Sequence, residues 1–298
     1  MGAIRFRKVI DFANLPASWG FVTLAADWDG YPVALFADGR PPRPDEPAIA
    51  GNSRALWDWY RIPAKAHHGV YLQGSEPRTI CFERPLEIRP HHVQRLVDGW
   101  LLAESREGRG AIYDQSGHFL RSIDLGDGIE DIQATPDGQI WVSYFDEGVF
   151  GSGIGKYGAV CFDSHGKLRF NYGEYAGQQG LPFISDCYAM NVSSSGDVWL
   201  NYYTDFPLVH LRNFELEHVW EDFGVMGKGF AVRDEVVVYL REGQLCSRHL
   251  RSPKNPEILQ ARDESGATLA QLPKISLEYA FRGPQLAMNI GSAVYVSL

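Results

Sequence analysis

Apolar and polar residues along this chain recur in a unit of two short apolar runs separated by a tight turn. The clearest copy is residues 132–144, where Asp137 and Gly138 precede a second run centred on Trp141. A weaker copy covers residues 190–202. Gly adopts positive φ without strain and Asp bonds to the nearby backbone, so such pairs are typical of hairpin turns. The pattern predicts hairpins of strands and almost no helix.

Six inner hairpins fit this unit, and a strand-only period of roughly 40 to 50 residues is typical of a β-propeller. The hairpins are predicted at residues 21–36, 93–103, 129–144, 187–202, 229–240 and 276–290. Outer strand pairs are predicted at residues 70–88, 111–125, 158–172, 208–220 and 244–260. One small sheet cannot bury both of its faces until neighbours stack around an axis. We therefore expect an all-β fold, a six-bladed β-propeller, as one domain over residues 1–298.

The last repeat lacks its outer strand. Residues 293–298 supply a third strand, so we expect residues 4–12 to pair beside it and close the ring. The alternation of apolar Ile4 and Phe6 with arginines suits an outer edge. Residues 53–60 are the helical candidate, because they begin with Ser53 as a capping residue.

Composition narrows the class of partner. The chain is 45% hydrophobic and carries a formal net charge of −9, and its basic residues are scattered, which argues against a nucleic-acid partner. No apolar stretch approaches the roughly 20 residues that cross a bilayer, so we expect no membrane partner and a cytoplasmic location. The oligomeric state is left open. The four cysteines are expected to be buried reduced thiols, because they fall in separate blades.

Residues 136–141 resemble the Pro-Asp-Gly turn and apolar-Trp pair of bacterial six-bladed propellers of the NHL, virginiamycin-B-lyase and SMP-30/lactonase type. The resemblance covers most of the chain as architecture and implies a propeller fold. It implies no single activity, because enzymes and binding proteins share this scaffold. The catalytic His of the lyases and the metal ligands of the lactonases have no matching motif here, so no catalytic residue is carried over. Residues 128–150 and 186–189 also resemble a group of actinobacterial propellers.

The loops that enter the inner strands and leave the second strands meet on one face of a propeller. The longest is residues 39–68, a candidate lid that carries an aromatic cluster and a pair of histidines. From this face we expect a ligand to contact Trp57, Trp59, Tyr60, His68 and Lys228.

Carboxylates at the starts of inner strands predict a candidate metal site, because Ca²⁺ and Mg²⁺ take oxygen ligands from several elements at once. The candidate ligands are Glu130, Asp131, Asp186 and Glu278. A histidine ligand would favour a transition metal such as Zn²⁺. Adjacent side chains on an extended strand point to opposite faces, so only one of Glu130 and Asp131 is expected to reach the site, and only one of His91 and His92.

Two functions remain open at this point. The first is a non-catalytic module that binds a small molecule, sugar or peptide on the loop-rich face. The alternative is a divalent-metal-assisted lyase or hydrolase at the mouth of the axial channel, with His91 or His92 as general base. The sequence leaves the ligand and any catalysis unassigned.

Overall fold

The computed structural model describes residues 2–12, 15, 18–39, 67–72, 78–83, 88–221 and 223–298. These residues are mostly β-structure, with 24 strands. Those of the first two sheets are β2 (Trp19–Ala26), β3 (Pro32–Asp38), β4 (His68–Leu72), β5 (Arg78–Cys81), β6 (His92–Leu96), β7 (Gly99–Ala103), β8 (Arg109–Asp114) and β9 (Phe119–Asp124). The third and fourth sheets, also of four strands each, contain β10 (Ile129–Ala134), β11 (Ile140–Tyr144), β12 (Ala159–Phe162), β13 (Leu168–Asn171), β14 (Asp186–Val192), β15 (Asp197–Tyr203), β16 (Leu208–Arg212) and β17 (Glu215–Trp220).

A fifth sheet has eight strands. It contains β18 (Phe230–Arg233), β19 (Val236–Arg241), β20 (Gln244–His249), β21 (Ser252–Asp263), β22 (Tyr279–Arg282), β23 (Gln285–Ile290), β24 (Ala293–Ser297) and β1 (Ala3–Asp11). β1 lies antiparallel beside β24, where the sequence analysis expects it. Its first residues also pair parallel with β21, from Ala3 beside Gln260 to Phe6 beside Asp263. β1 is therefore an internal strand rather than the free outer edge that its alternation suggested.

The six predicted inner hairpins are confirmed, because the two strands of each pair antiparallel. Gly138 (φ 84°) and Gly196 (φ 86°) occupy the left-handed positions that their turns require. The first strands of the units contact one another in sequence, from β2 through β6, β10, β14, β18 and β22 and back to β2. This cycle places one end of each first strand close to a common axis.

The hydrophobic core lies between the faces of neighbouring sheets. Trp100 and Val22 belong to one cluster that joins the first and second sheets, while Trp141 is 2% exposed in a cluster shared by the second, third and fourth. Burying such side chains stabilises the fold by about 1.5–3 kcal/mol each. Trp199 is only partly buried, and it stacks on His210 with ring centroids 3.8 Å apart.

Helical segments differ from the prediction. The described residues contain α1 (Asp146–Val149), α2 (Tyr172–Gln179) and the 3₁₀ helices Ile154–Tyr157 and Ser276–Glu278. No described helix has both the length and the apolar character of a membrane-spanning segment. The helical candidate at residues 53–60 lies outside the described residues. All four cysteines are free, but Cys81 is exposed, against the expectation that every thiol is buried.

Candidate functional site

A cavity of about 90 Å³ lies where the six first strands approach the axis, and each of them, or the segment before it, contributes to its wall. Its histidine, carboxylate and lysine lining residues are His91, His92, Glu130, Asp131 and Lys228. Each of these belongs to the start of a first strand or the loop before it, which is where the sequence analysis expects the site.

Both members of each adjacent pair contribute to the cavity wall. Because all of residues 91–94 and 130–133 line it, backbone atoms take part, and the expectation that only one side chain of each pair reaches the site stays a prediction. In β10 the pairing register shifts between Ile129 and Asp131, which marks a bulge at Glu130. A bulge breaks the strict alternation of side chains and lets neighbours face the same side. His91 precedes β6 and is likewise free of the alternation of that strand.

A salt bridge between Lys228 and Glu130 forms one side of the site. Lys228 Nζ lies 2.9 Å from Glu130 Oε1 and 5.0 Å from the centre of the Tyr188 ring. Burial raises the pKa of Glu130. Burial lowers the pKa of Lys228, but the attraction of Glu130 and Asp186 outweighs it, so that the net pKa is raised. The ammonium therefore stays charged at neutral pH.

Asp186 lies beside this ion pair without lining the cavity. Its Oδ1 atom is buried and accepts no hydrogen bond from the residues that the structure describes. Burial raises the pKa of Asp186, and Asp146 of α1 adds to this effect by like-charge repulsion, while Lys228 opposes it. Glu130, Asp186 and Asp146 thus place three carboxyl groups around the one ammonium of Lys228.

Asp131 and His92 carry the most strongly perturbed titrations in the cavity wall. Asp131 accepts hydrogen bonds from Ile132 N and Gln133 Nε2, both at 2.8 Å, yet burial raises its pKa to about 7. His92 Nε2 lies 2.9 Å from Ser105 Oγ, and burial together with the neighbouring His91 lowers its pKa to about 3. A carboxyl group that titrates near neutrality thus shares the cavity with an uncharged imidazole.

A layer of amide side chains near the axis, the amide layer, bonds first strands to other units, and the sequence analysis did not predict it. Gln94 Oε1 accepts from Ala134 N at 3.0 Å, and Asn191 Oδ1 accepts from Gly283 N at 2.7 Å. Ala134 N lies on the edge of β10, and Gly283 N lies in the turn after β22. Each of these backbone N–H groups finds its acceptor in an amide of a different unit.

Gln133 is the hub of this layer. Its Oε1 atom accepts from Val192 N at 2.8 Å and from Arg282 Nη1 at 3.2 Å, and its Nε2 atom donates to Met190 O at 3.1 Å. Arg282 is 1% exposed and also donates to Ala134 O. Burial lowers the pKa of Arg282 to about 10, so the guanidinium remains charged and faces the region of Asp131. A charged guanidinium therefore lies next to Gln133, which lines the cavity.

Five further predicted site residues lie away from the cavity wall or outside the described residues. His68 is buried at the start of β4, the third strand from the axis, and does not line the cavity. Glu278 is 4% exposed in a 3₁₀ helix whose neighbours line the cavity, but is not itself in the wall. The aromatic cluster Trp57, Trp59 and Tyr60 lies outside the described residues.

The donor atoms do not form a ready set for a divalent ion. Both oxygens of Asp131 accept hydrogen bonds and Glu130 pairs with Lys228. Within the described ranges, no group of three or more His, Cys, Asp or Glu side chains is arranged to hold a metal. The cation site stays a prediction.

Comparison with solved structures identifies the architecture. Virginiamycin B lyase from Staphylococcus aureus aligns with a TM-score of 0.52 at 8% identity, over 98% of this chain and 99% of the lyase. The chain is a β-propeller of this type. A gluconolactonase from Xanthomonas campestris aligns at 10% identity over 93% of this chain and 86% of its own, with a TM-score of 0.46. A chain of a nidogen/laminin complex aligns at 12% identity over 80% of this propeller and 79% of its own length, with a TM-score of 0.48.

Comparisons at the level of sequence cover less of the chain. Residues 159–279 match the YxzG family, which covers less than half of the propeller. No curated protein sequence matches it significantly. At identities this low, the structural likeness establishes the fold and leaves function to be argued from the site.

Proposed function

We propose that this propeller has six blades closed by β1 and that it binds a small polar molecule, or the polar end of a larger one, in the axial cavity. The observation that carries the proposal is the convergence of His91, His92, Glu130, Asp131 and Lys228 on one enclosed space. Perturbed titratable groups gathered in a cavity are a recognised mark of a functional site.

The dimensions and the charge of the cavity limit the ligand. A volume of about 90 Å³ is well below the roughly 300–1,000 Å³ of pockets for drug-sized molecules. A peptide or an oligosaccharide would place only one polar group inside, against Lys228, Glu130 and Asp131. The net charge of −9 argues against nucleic acid as the partner. Cytoplasmic location stays a prediction.

A lyase or hydrolase at the same site is the second candidate. It is favoured by one observation, the presence in one cavity wall of a carboxyl group with a pKa of about 7 and an imidazole kept neutral by its low pKa. General acid–base catalysis works best when the pKa of the catalytic group lies near the working pH. In this alternative Asp131 would transfer the proton and His91 or His92 would bind and orient the substrate.

Thermal shift with a library of small polar metabolites tests the binding proposal. Lys228→Met removes the ammonium from the site. Lys156→Met is the matched control, because Lys156 also lies 5.0 Å from a tyrosine ring, that of Tyr157, but away from the axis. We expect at least one compound to raise the melting temperature of the wild type and the control but not of Lys228→Met. A shift that survives in Lys228→Met, or the absence of any shift, refutes binding at this cavity.

The same assay with Asp186→Ala tests whether a divalent ion takes part at the site. If a divalent ion assists the site, Ca²⁺, Mg²⁺ or Zn²⁺ stabilises the wild type and the variant loses that stabilisation. If no cation is involved, removing one of the crowded carboxylates raises the melting temperature with or without metal. The two outcomes have opposite signs.

A further inference from the structure

A second and larger cavity lies away from the axis, on the outer side of the third sheet. Its volume is about 410 Å³, which falls within the range of small-molecule pockets. We call it the outer groove. It is lined by Tyr157, Leu168, Arg169, Phe170, Asn171, Glu174, Tyr175 and Gln178.

Local sequence signals build the helix that forms one wall. Asn171 is the N-cap of α2, and its Oδ1 atom accepts from Glu174 N at 3.1 Å. Gly173 permits close contact with the 3₁₀ helix, since a Cβ there would lie 3.0 Å from the Tyr157 Cα atom. Glu174 and Gln178 are four residues apart and share a helix face.

Packing holds the aromatic side of the outer groove in place. The Phe170 ring is stacked on Phe214 of the next sheet with centroids 5.2 Å apart, and lies 5.4 Å from the Tyr175 ring. Tyr175 OH accepts a hydrogen bond from Leu216 N at 2.7 Å, which fixes α2 to that sheet. A ligand that packs against these rings therefore meets side chains that are already ordered, and loses little side-chain entropy in binding.

The polar side of the outer groove has unused hydrogen-bonding capacity. The side chains of Arg169, Glu174 and Gln178 are exposed and make no hydrogen bond or salt bridge with any residue that the structure describes. Together they offer guanidinium donors, carboxylate acceptors and an amide that is both. The charges of Arg169 and Glu174 offset each other, so the outer groove favours neither an anion nor a cation.

We propose that the outer groove binds one or two sugar rings of a carbohydrate. A pyranose ring has C–H groups that pack against aromatic rings, and a rim of hydroxyl groups that each donate and accept hydrogen bonds. The outer groove matches both features of the sugar, because it has aromatic rings on one side for the C–H groups and planar polar groups on the other side for the hydroxyl groups. A metal ion is disfavoured because Glu174 is the one carboxylate in the lining. A purely apolar ligand would leave the polar groups desolvated without partners.

Isothermal titration calorimetry and saturation-transfer NMR with four disaccharides test this proposal: cellobiose, maltose, lactose and N,N′-diacetylchitobiose. The test variants are Glu174→Gln and Arg169→Ala. Glu217→Gln and Arg241→Ala are matched controls at exposed positions on other sheets. A hydrogen bond to a charged group is worth about 1.5–3 kcal/mol, so each test variant should weaken binding by about 10- to 100-fold.

The result that supports the proposal is millimolar or tighter binding of at least one disaccharide that both test variants weaken and both controls preserve. Circular dichroism of the variants establishes that they are folded. The proposal is overturned if none of the four sugars binds at millimolar concentration, or if binding is the same in the test variants and the controls. The proposal is also overturned if a short aromatic peptide binds the outer groove and none of the four disaccharides does.

Discussion

Replacing Gln133 with Met should destabilise the fold more than any other single amide substitution around the axis. Met keeps the length of the side chain, so the cost reflects lost hydrogen bonds rather than a new cavity. Two donors lose their acceptor, the backbone N–H of Val192 and the guanidinium of Arg282. A buried donor without a partner costs about 1–3 kcal/mol, and a hydrogen bond to a charged group about 1.5–3 kcal/mol. The sum is roughly 2.5–6 kcal/mol.

Gln94→Met is the comparison within the same layer. Gln94 accepts from Ala134 N alone, so its loss should cost about 1–3 kcal/mol. Gln178→Met is the control, because Gln178 is exposed and should change stability by no more than about 0.5 kcal/mol.

The assay is urea unfolding monitored by tryptophan fluorescence, with the denaturant dependence of each variant fitted separately. An unchanged slope shows that only stability has changed. The reasoning is refuted if Gln133→Met costs less than about 1 kcal/mol, or no more than Gln94→Met. In either case the amide layer would not be what holds the first strands together.

Three further predictions concern the packing of β1, the pKa of Asp131 and the cysteine thiols. Phe6→Ala should lower the free energy of unfolding in urea by about 3–5 kcal/mol, since Phe6 is 0% exposed on β1, between β21 and β24. A decrease no larger than that caused by Arg5→Ala, at an exposed position of the same strand, would contradict this prediction. The pKa of Asp131 is raised to about 7 in the folded state, so between about pH 4 and 7 the native protein holds a proton that the unfolded chain has lost. The stability of the wild type should therefore fall as the pH rises from about 4 to 7. Asp131→Asn should flatten this pH dependence, and an unchanged pH dependence in the variant would be evidence against the raised pKa. A thiol reagent should label Cys81 rapidly in the native protein and four thiols after denaturation, and reductant should leave the melting temperature unchanged; fewer than four thiols would reveal a disulfide.

Local signals explain why the hairpins were predictable. A turn such as Asp137–Gly138 depends on the φ preferences of two residues, and the apolar alternation around it depends on one sheet, so neither needs knowledge of the rest of the chain. Helix α2 had signals of the same local kind, an Asn171 cap and Gly180 in the left-handed conformation at its end. It was missed because Gly173 and Gly177 are poor helix formers and obscure the periodicity.

The composition of the axial site was harder to predict, because it depends on contacts between units distant in sequence. The sequence placed Glu130, Asp131, His91, His92 and Lys228 at the starts of first strands, and all five line the cavity. Strict alternation assigned only one member of each adjacent pair to the site, and it could not anticipate the bulge at Glu130, which has no reliable local sequence mark. His68 was assigned to the face by its position in the chain, but β4 holds it two strands away from the axis.

The amide layer formed by Gln94, Gln133 and Asn191 explains how a polar centre can be structural. First strands have one edge without a strand partner, and apolar side chains there would leave its N–H groups buried and unsatisfied. Gln94 and Gln133 accept from such groups on other units, and Asn191 accepts from the turn residue Gly283, so the polarity of this layer is structural. Lys228 and Asp186 differ in kind, because they hold no backbone N–H in place. We therefore expect variants of Lys228 and Asp186 to change ligand affinity, and variants of the amide layer to change stability rather than ligand affinity.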